Sequence, residues 1–297
     1  MARRSQPAVW HGLVAIDKPA GITSHDVVAR CRRVFGQRQV GHGGTLDPGA
    51  TGVLLVGLGG ATRLLRFLGE LPKSYEGELV LGIETSTLDA DGEVVATHDM
   101  TGVTLDDVRA AARRFVGPIE QVPPMVSAVK VGGRRLHELA RSGLHVERAG
   151  RPVVVHRLDV APGEGPGVFR LSLDCSSGTY VRSLAADLGG ALGGGAHLRR
   201  LRRTAVGPFA VADARPLDEV GPDDVLPPVR AVAHLARVAV PEPTARVVRH
   251  GAVLRPEDTG MEGEGPWAVV DGDGALLAVY ERRPDGTAKP SVVLPPQ

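Results

Sequence analysis

The stretch GHGGTLDPGATGVLLVGLG, residues 41–59, decides how this chain is read. Its first twelve residues place a single acidic residue, Asp47, among five glycines and one proline, and an apolar run bounded by glycines follows. Glycine lets a backbone adopt positive φ and pass close to a bulky neighbour, while Pro48 stiffens the turn. Composition alone leaves two readings of the loop open. It is a tight connection in which Asp47 caps a turn, or a device that presents one carboxylate at a fixed place. The run VLLVGLG has the length and bounds of a buried strand. Neither a GK[ST] phosphate loop nor a GxGxxG dinucleotide pattern accompanies it.

Outward from this loop the elements alternate. GLVAIDKP (12–19) reads as a short strand. SHDVVARCRRVFG (24–36) reads as a helix with Ser24 as N-cap, Val27, Val28, Cys31 and Val34 on one face, and Gly36 as its stop. ATRLLRFLGEL (61–71) carries a helical stripe of Leu64, Leu65, Leu68 and Leu71. In SYEGELVLGIET (74–85) the period changes to two. Tyr75, Leu79, Leu81 and Ile83 share a face opposite Glu76, Glu78 and Glu84, which points Tyr75 inward. LDADGE is a turn, and TLDDVRAAARRFVG (104–117) is a helix opened by a capping box from Thr104 to Asp107.

VPPMVSAVKVGGRRL (122–136) is extended and turns at Gly132 and Gly133, and RLHELARSG (135–143) is a short helix closed by Gly143. From Phe169 to Cys175 the alternation returns, breaks at SSG, and becomes helical in TYVRSLAADLGGAL (179–192), so that Tyr180 and Arg182 arrive at a helix start. Strands and helices interleave without a regular βαβ period. The expected fold class is α/β in the α+β sense, with a mixed, mainly antiparallel sheet and flanking helices. Prolines at 222, 227, 228, 241 and 243 mark a boundary. Beyond it PWAVVDGDGALLAVYERR (266–283) reads as a hairpin turning at DGDG, in a small β module. The expected division is 1–238 and 239–297.

Composition bounds the function. At 42 % hydrophobic and 23 % charged residues the chain has ordinary globular usage, which excludes wholesale disorder and fibrous repeats. The N-terminal apolar run stops at Asp17 and Lys18, too short for an export signal or a membrane helix. Cys31 and Cys175 form no CxxC pair, and no two histidines take HxxxH spacing. The expectation is a cytoplasmic protein with no metal. With no apolar heptad demanding a partner, a monomer is expected.

Net charge is +1, but it is segregated along the chain. Residues 1–72 carry 9 Lys and Arg against 4 Asp and Glu, and residues 121–207 carry 13 against 6. Residues 73–120 carry 4 against 10, and residues 251–297 carry 4 against 8. Two basic blocks of this kind suit a phosphate backbone as well as a solvated surface.

Five segments move the balance. GLVAIDKPAGITSHDVV, GHGGTLDPGATGVLLVGLGGATRLL, KSYEGELVLGIETSTLDADGE, PPMVSAVKVGGRRLHELAR and CSSGTYVRSLAADLGGALGGGAHLRRLRRTAVGPF resemble, in order and spacing, the TruB family of tRNA pseudouridine synthases. The resemblance covers about residues 12–215. It implies a pseudouridine synthase fold with a central cleft, a PUA-like C-terminal module, and cofactor-free isomerisation of the T-loop uridine at tRNA position 55.

Carried over residue by residue, the resemblance makes Asp47 the catalytic aspartate, Arg182 its ion-pair partner, and Tyr75 the active-site tyrosine. Tyr180 and Leu201 line the pocket, and His42 takes the place of the flipped base. The chemistry agrees. Breaking an N-glycosidic bond calls for a nucleophile or charge stabiliser, and arginine forks onto a carboxylate without losing its proton. Extruding a base costs a few kcal/mol of unstacking, which a wedge residue offsets.

Phosphate contacts are expected from Arg199, Arg200, Arg202 and Arg203, with Lys130, Arg134 and Arg135 as further candidates. Lys18 and Pro19 match a supporting motif, and Arg246, Arg249 and Arg255 are the tail's basic residues. Departures from the pattern are Gly43 in place of threonine, Arg63 in place of lysine and His137 in place of tyrosine. The alternatives are a tRNA-binding or tRNA-folding protein without essential chemistry, and a pseudouridine synthase acting on another RNA.

Overall fold

A computed structural model describes residues 8–127, 130, 131, 133–136, 144 and 146–295. Its chain folds as two compact units interleaved in sequence. Unit one takes the described residues of Met1–Asp47, Val53–Glu70 and Ala212–Gln297, and unit two those of Pro48–Gly52 and Leu71–Val211.

Unit two is built on an antiparallel core. Lys73–Leu81 lies between Val168–Cys175 and Ala196–Val206, antiparallel to both. Arg151–Pro162 extends the sheet from Val168–Cys175, and Gly117–Gln121 closes that side. Thr51 and Gly52 add the parallel element by pairing with Arg202 and Arg203. The alternation read in the sequence is the buried face of this sheet at Tyr75, Leu79, Leu81, Leu171, Leu173 and Cys175, all buried. Ile83, expected on the same face, is instead half-buried on a separate strand, Ile83–Thr85, that pairs with Val94–Thr97. Helices Leu105–Arg113 and Val181–Ala191 flank it. The first begins at the expected Thr104–Asp107 capping box, and the second buries Leu184, Ala185 and Leu188.

Unit one carries Gly12–Lys18, parallel to Arg215–Pro216, and Val40–Gly43, antiparallel to the Val53–Leu58 part of the next strand. The helix after the first strand spans Ser24–Val34, and two expectations for it are corrected. Thr23, not Ser24, is the N-cap, because its hydroxyl accepts from Asp26 N–H while Asp26 reaches back to the Thr23 backbone. Val34 is exposed: it keeps the helical register of Val27 and Cys31 but is the last residue of the helix, where less packs against that face. The segment read as one helix over 61–71 is a 3-10 turn, Gly59–Leu64, followed by a short α-helix, Leu65–Gly69. The short helix expected over 135–143 falls largely outside the described residues.

The C-terminal part of unit one is a four-stranded sheet in the order Ala236–Ala239, Trp267–Val270, Leu276–Arg282, Ala288–Val293. Its DGDG turn lies between the second and third of these strands, where the sequence pattern put it. The buried polar groups of its core are satisfied. Tyr280 donates its hydroxyl proton to Ala252 O at 2.8 Å, and Trp267 donates Nε1–H to Glu262 O at 2.6 Å. Arg66, on the helix Leu65–Gly69, reaches Glu281 at 2.6 Å, which ties this sheet to the rest of its unit.

Candidate active site

Unit one presents Asp47 by fixing the residue before it. Ser24 Oγ donates to Leu46 O at 3.0 Å and accepts from Leu46 N–H at 2.9 Å, so both polar groups of a buried backbone residue are held by one hydroxyl. Asp47 itself is half-buried, as is His42, which stands on Val40–Gly43 opposite Val56. Lys18 is buried with Nζ donating to Pro19 O at 2.9 Å, a supporting arrangement within its own strand end.

Unit two explains part of the glycine excess in the opening stretch. Gly52 has φ 102°, and a Cβ there would lie 2.1 Å from Arg203 O, so no side chain fits where the strand joins its parallel neighbour. A Cβ on Gly49 would stand 3.2 Å from Asp91 Oδ2. Gly52 is bare because strand backbone passes against it, whereas at Gly49 the close neighbour is the Asp91 side-chain carboxylate.

Arg182 sits in the first turn of the helix Val181–Ala191 and is 4 % exposed. Nη1 donates to Thr87 O at 3.0 Å and lies 3.3 Å from Asp89 Oδ2, and Nη2 donates to Val126 O at 2.8 Å. A guanidinium held this way is a fixed, desolvated cation, because its partners come from two separate segments, the turn holding Thr87 and Asp89 and the stretch holding Val126. Asp89 was missed in the sequence, where its segment shows only a turn. The loop is pinned: Leu88 takes φ 63°, Leu198 N–H donates to Leu88 O and Ala90 N–H donates to Leu198 O, both at 3.1 Å. The Thr87 hydroxyl and the Asp91 N–H both donate to Asp89 Oδ1. No local signal marks Asp89, because its partner Arg182 lies far along the chain.

Tyr75 lies on the central strand between Leu173 and Arg203 and is 9 % exposed. Tyr180 is the half-buried N-cap of the Arg182 helix. Leu201 is half-buried opposite Gly77, where an added Cβ would meet Leu201 Cδ1 at 3.6 Å. Unit two therefore contains Tyr75, Tyr180, Arg182 and Leu201, while Asp47 and His42 belong to unit one.

The arginine run divides by environment. Arg200 is largely exposed, with Nε 3.6 Å from Glu78 Oε2, and Arg199 Nε donates to the same oxygen at 2.8 Å. Arg202 Nη1 donates to Thr51 Oγ1 at 3.3 Å. Arg203 is 1 % exposed, an interior residue in this conformation rather than a surface one. Beside it Lys73 is buried, with Nζ donating to Leu71 O at 2.6 Å. Burial, helped by the charge of Arg203, pushes the Lys73 ammonium down to about 8. Arg134 is exposed on a two-stranded hairpin whose other strand holds Lys130. The side chains of Lys130 and Arg135, and all of His137, lie outside the described residues.

Residues 32–181 match the family model described as TruB family pseudouridylate synthase (N terminal domain), and residues 182–222 match tRNA pseudouridylate synthase B C-terminal domain. The tRNA pseudouridine synthase B of Mycobacterium sp. (strain KMS) is 46 % identical over 298 residues, covering 98 % of this chain and 99 % of that one. That of Symbiobacterium thermophilum is 50 % identical over 258 residues, covering 84 % and 86 %. Among solved structures, an H/ACA RNP bound to a substrate RNA containing 2'-deoxyuridine superposes with a TM-score of 0.73 at 26 % identity, covering 96 % of this chain and 86 % of that chain. A Cbf5-Nop10-Gar1 complex gives 0.72 at 28 %, covering 97 % and 84 %.

Proposed function

The chain belongs to the TruB family of pseudouridylate synthases, and from that premise we propose that it isomerises uridine to pseudouridine in tRNA, at the T-loop uridine of position 55. The reaction breaks the bond from ribose C1′ to N1 of the base, turns the base, and joins C1′ to C5. N1 gains a proton and C5 loses one, so the net change is an isomerisation.

In this reading Asp47 supplies the carboxylate that the bond exchange needs, at the sugar or at the pyrimidine. Arg182 is its cation partner and keeps it ionised in a site from which the base excludes water. Tyr75 lies against the base and accepts the C5 proton late in the reaction. Tyr180 and Leu201 wall the base, and His42 fills the gap it leaves in the RNA. Arg199, Arg200 and Arg202 are the arginines of the run proposed to meet phosphate, with Arg134 and Lys130 as further candidates. A tRNA substrate fits a cytoplasmic protein, the proposed state is a monomer, and no described helix is long and apolar enough to cross a membrane.

The observation that supports this reading most directly is Arg182, a buried guanidinium set between Asp89 and two carbonyl oxygens at a helix start. A surface arginine needs no such housing. The test is Asp47→Asn on a T-stem-loop transcript. Pseudouridine formation is expected to vanish while binding stays near that of the wild type, and normal turnover by this variant refutes the assignment. Refolding of tRNA by the same variant separates assistance to folding from catalysis. Mapping pseudouridine in total tRNA at single-nucleotide resolution tests position 55.

A further inference from the structure

Gln121 ends the strand Gly117–Gln121, is 2 % exposed, and spends both ends of its amide on one residue. Its Oε1 accepts from Tyr180 N–H at 2.7 Å, and its Nε2 donates to Tyr180 O at 3.0 Å. The sense of the amide is settled by these partners, since only a backbone N–H can face Oε1 and only a carbonyl can face Nε2. Tyr180 is the N-cap of the helix Val181–Ala191, and its side chain makes no cap hydrogen bond. Its carbonyl also accepts the first helical bond, from Leu184 N–H at 3.1 Å. The amide therefore fixes the peptide groups on both sides of Tyr180, and with them the direction in which the helix leaves the sheet. The following residues repeat the grip, with Ser183 Oγ donating to Val122 O at 2.9 Å and Arg182 Nη2 donating to Val126 O at 2.8 Å.

We infer that Gln121 is a positioning residue for the isomerisation, acting through Tyr180 and Arg182 by clamping the backbone of the helix start that carries them. The inference rests on the roles given above to those two residues. Its energetic basis is pre-organisation, because misplacement of a reacting group by about 1 Å costs on the order of a hundredfold in rate. Volume is not what the site asks for. An apolar side chain of the same length fills the space and leaves a buried N–H without its acceptor.

The decisive variant is Gln121→Glu, which keeps size and shape. When neutral, the introduced carboxyl donates to Tyr180 O and accepts from Tyr180 N–H as the amide does. When ionised, it keeps the acceptor but turns a second lone pair onto the carbonyl. Burial raises the pKa of such a group. The ratio of its kcat to that of wild type is therefore expected to fall as pH rises, by about tenfold or more on full ionisation. KM for tRNA is expected to hold within about twofold, because the phosphate contacts are untouched. Gln121→Met is expected to lose kcat by about 10- to 100-fold at every pH.

A pH-independent ratio for Gln121→Glu near unity overturns the inference, as does a Gln121→Met enzyme with wild-type kcat. If Gln121→Met does not fold, the Gln121→Glu ratio decides alone. Arg182→Ala in the same assay separates the two levels. If it turns over normally, the reading of the site fails and the inference with it. If it is inactive while Gln121→Glu follows the wild-type profile, only the inference fails.

Discussion

Arg182 Nη1 stands 3.3 Å from Asp89 Oδ2 inside unit two, and the same carboxylate accepts from the Thr87 hydroxyl and the Asp91 N–H through its other oxygen. Four groups thus fix the cation and its counter-charge before any RNA arrives. Removing the Asp89 carboxylate takes one anion away from a buried guanidinium. Asp89→Ala is expected to lower stability by about 1–3 kcal/mol, the cost of losing one hydrogen bond to a charged group in a buried site. Its kcat is expected to fall further than its affinity for tRNA. Urea unfolding and single-turnover kinetics check the two parts, and unchanged values for both make the pair incidental.

Gly52 tests whether the bare backbone is needed for close approach. At φ 102°, with Arg203 O only 2.1 Å from where a Cβ would stand, Gly52→Ala faces a strained conformation and a collision with main chain. It is expected to lose at least about 2 kcal/mol of stability and most of its turnover. Gly69 is the control: it ends the helix Leu65–Gly69, nothing lies within 4 Å of its Cβ direction, and Gly69→Ala is expected to be neutral or slightly stabilising. Equal melting behaviour of the two variants removes the close-approach explanation.

The two substitutions also mark what a sequence can carry. Alternation put Tyr75 inside, the break at SSG put Tyr180 and Arg182 at a helix start, and the Thr104 capping box gave a helix boundary, because each signal is local. Ser24 deceived for the opposite reason. Both Thr23 and Ser24 have capping hydroxyls, and the choice between them was made by Leu46, 22 residues away. Asp89 and Gln121 stayed hidden on the same account, since their partners are Arg182 and Tyr180, far along the chain. Arg203 looks like its neighbours in LRRLRR, but bulges between Leu198 and Arg200 and between Arg203 and Ala205 reset which side chains face inward.

Lys73 gives stability a pH dependence of known sign. Its pKa is lowered from 10.5 to about 8 in the folded protein. Below about 8 the ammonium is charged in both states, and folding carries the full burial penalty. Between about 8 and 10.5 the unfolded chain keeps a proton that the folded chain has released, so stability rises with pH. Cys31 and Cys175, which burial raises from 9.0 to about 11, work in the opposite sense above about 9. They are common to wild type and Lys73→Met and largely cancel in the difference. The unfolding free energy of wild type relative to Lys73→Met is expected to rise by roughly 1 kcal/mol from pH 8 to pH 9. Urea titrations at the two pH values measure it, and a constant difference means the ammonium is not desolvated.

Arg200 and Arg203 separate the electrostatic from the structural use of one charge type. The Arg200 side chain is 73 % exposed and shares Glu78 with Arg199, whereas Arg203 is enclosed. An exposed arginine that meets a phosphate releases counterions when RNA binds, so its removal changes how affinity depends on salt as well as affinity itself. Arg200→Ala is expected to weaken tRNA binding and to reduce the slope of log affinity against log salt by about 0.7–0.9, the contribution of a single phosphate contact. Arg203→Met is expected to leave that slope unchanged and to act on folding instead, because its guanidinium lies within the unit. Filter-binding titrations between low and physiological salt, paired with unfolding curves, measure both. An Arg200→Ala slope equal to wild type places the RNA backbone elsewhere, and a lowered slope for Arg203→Met requires this strand to open when RNA binds.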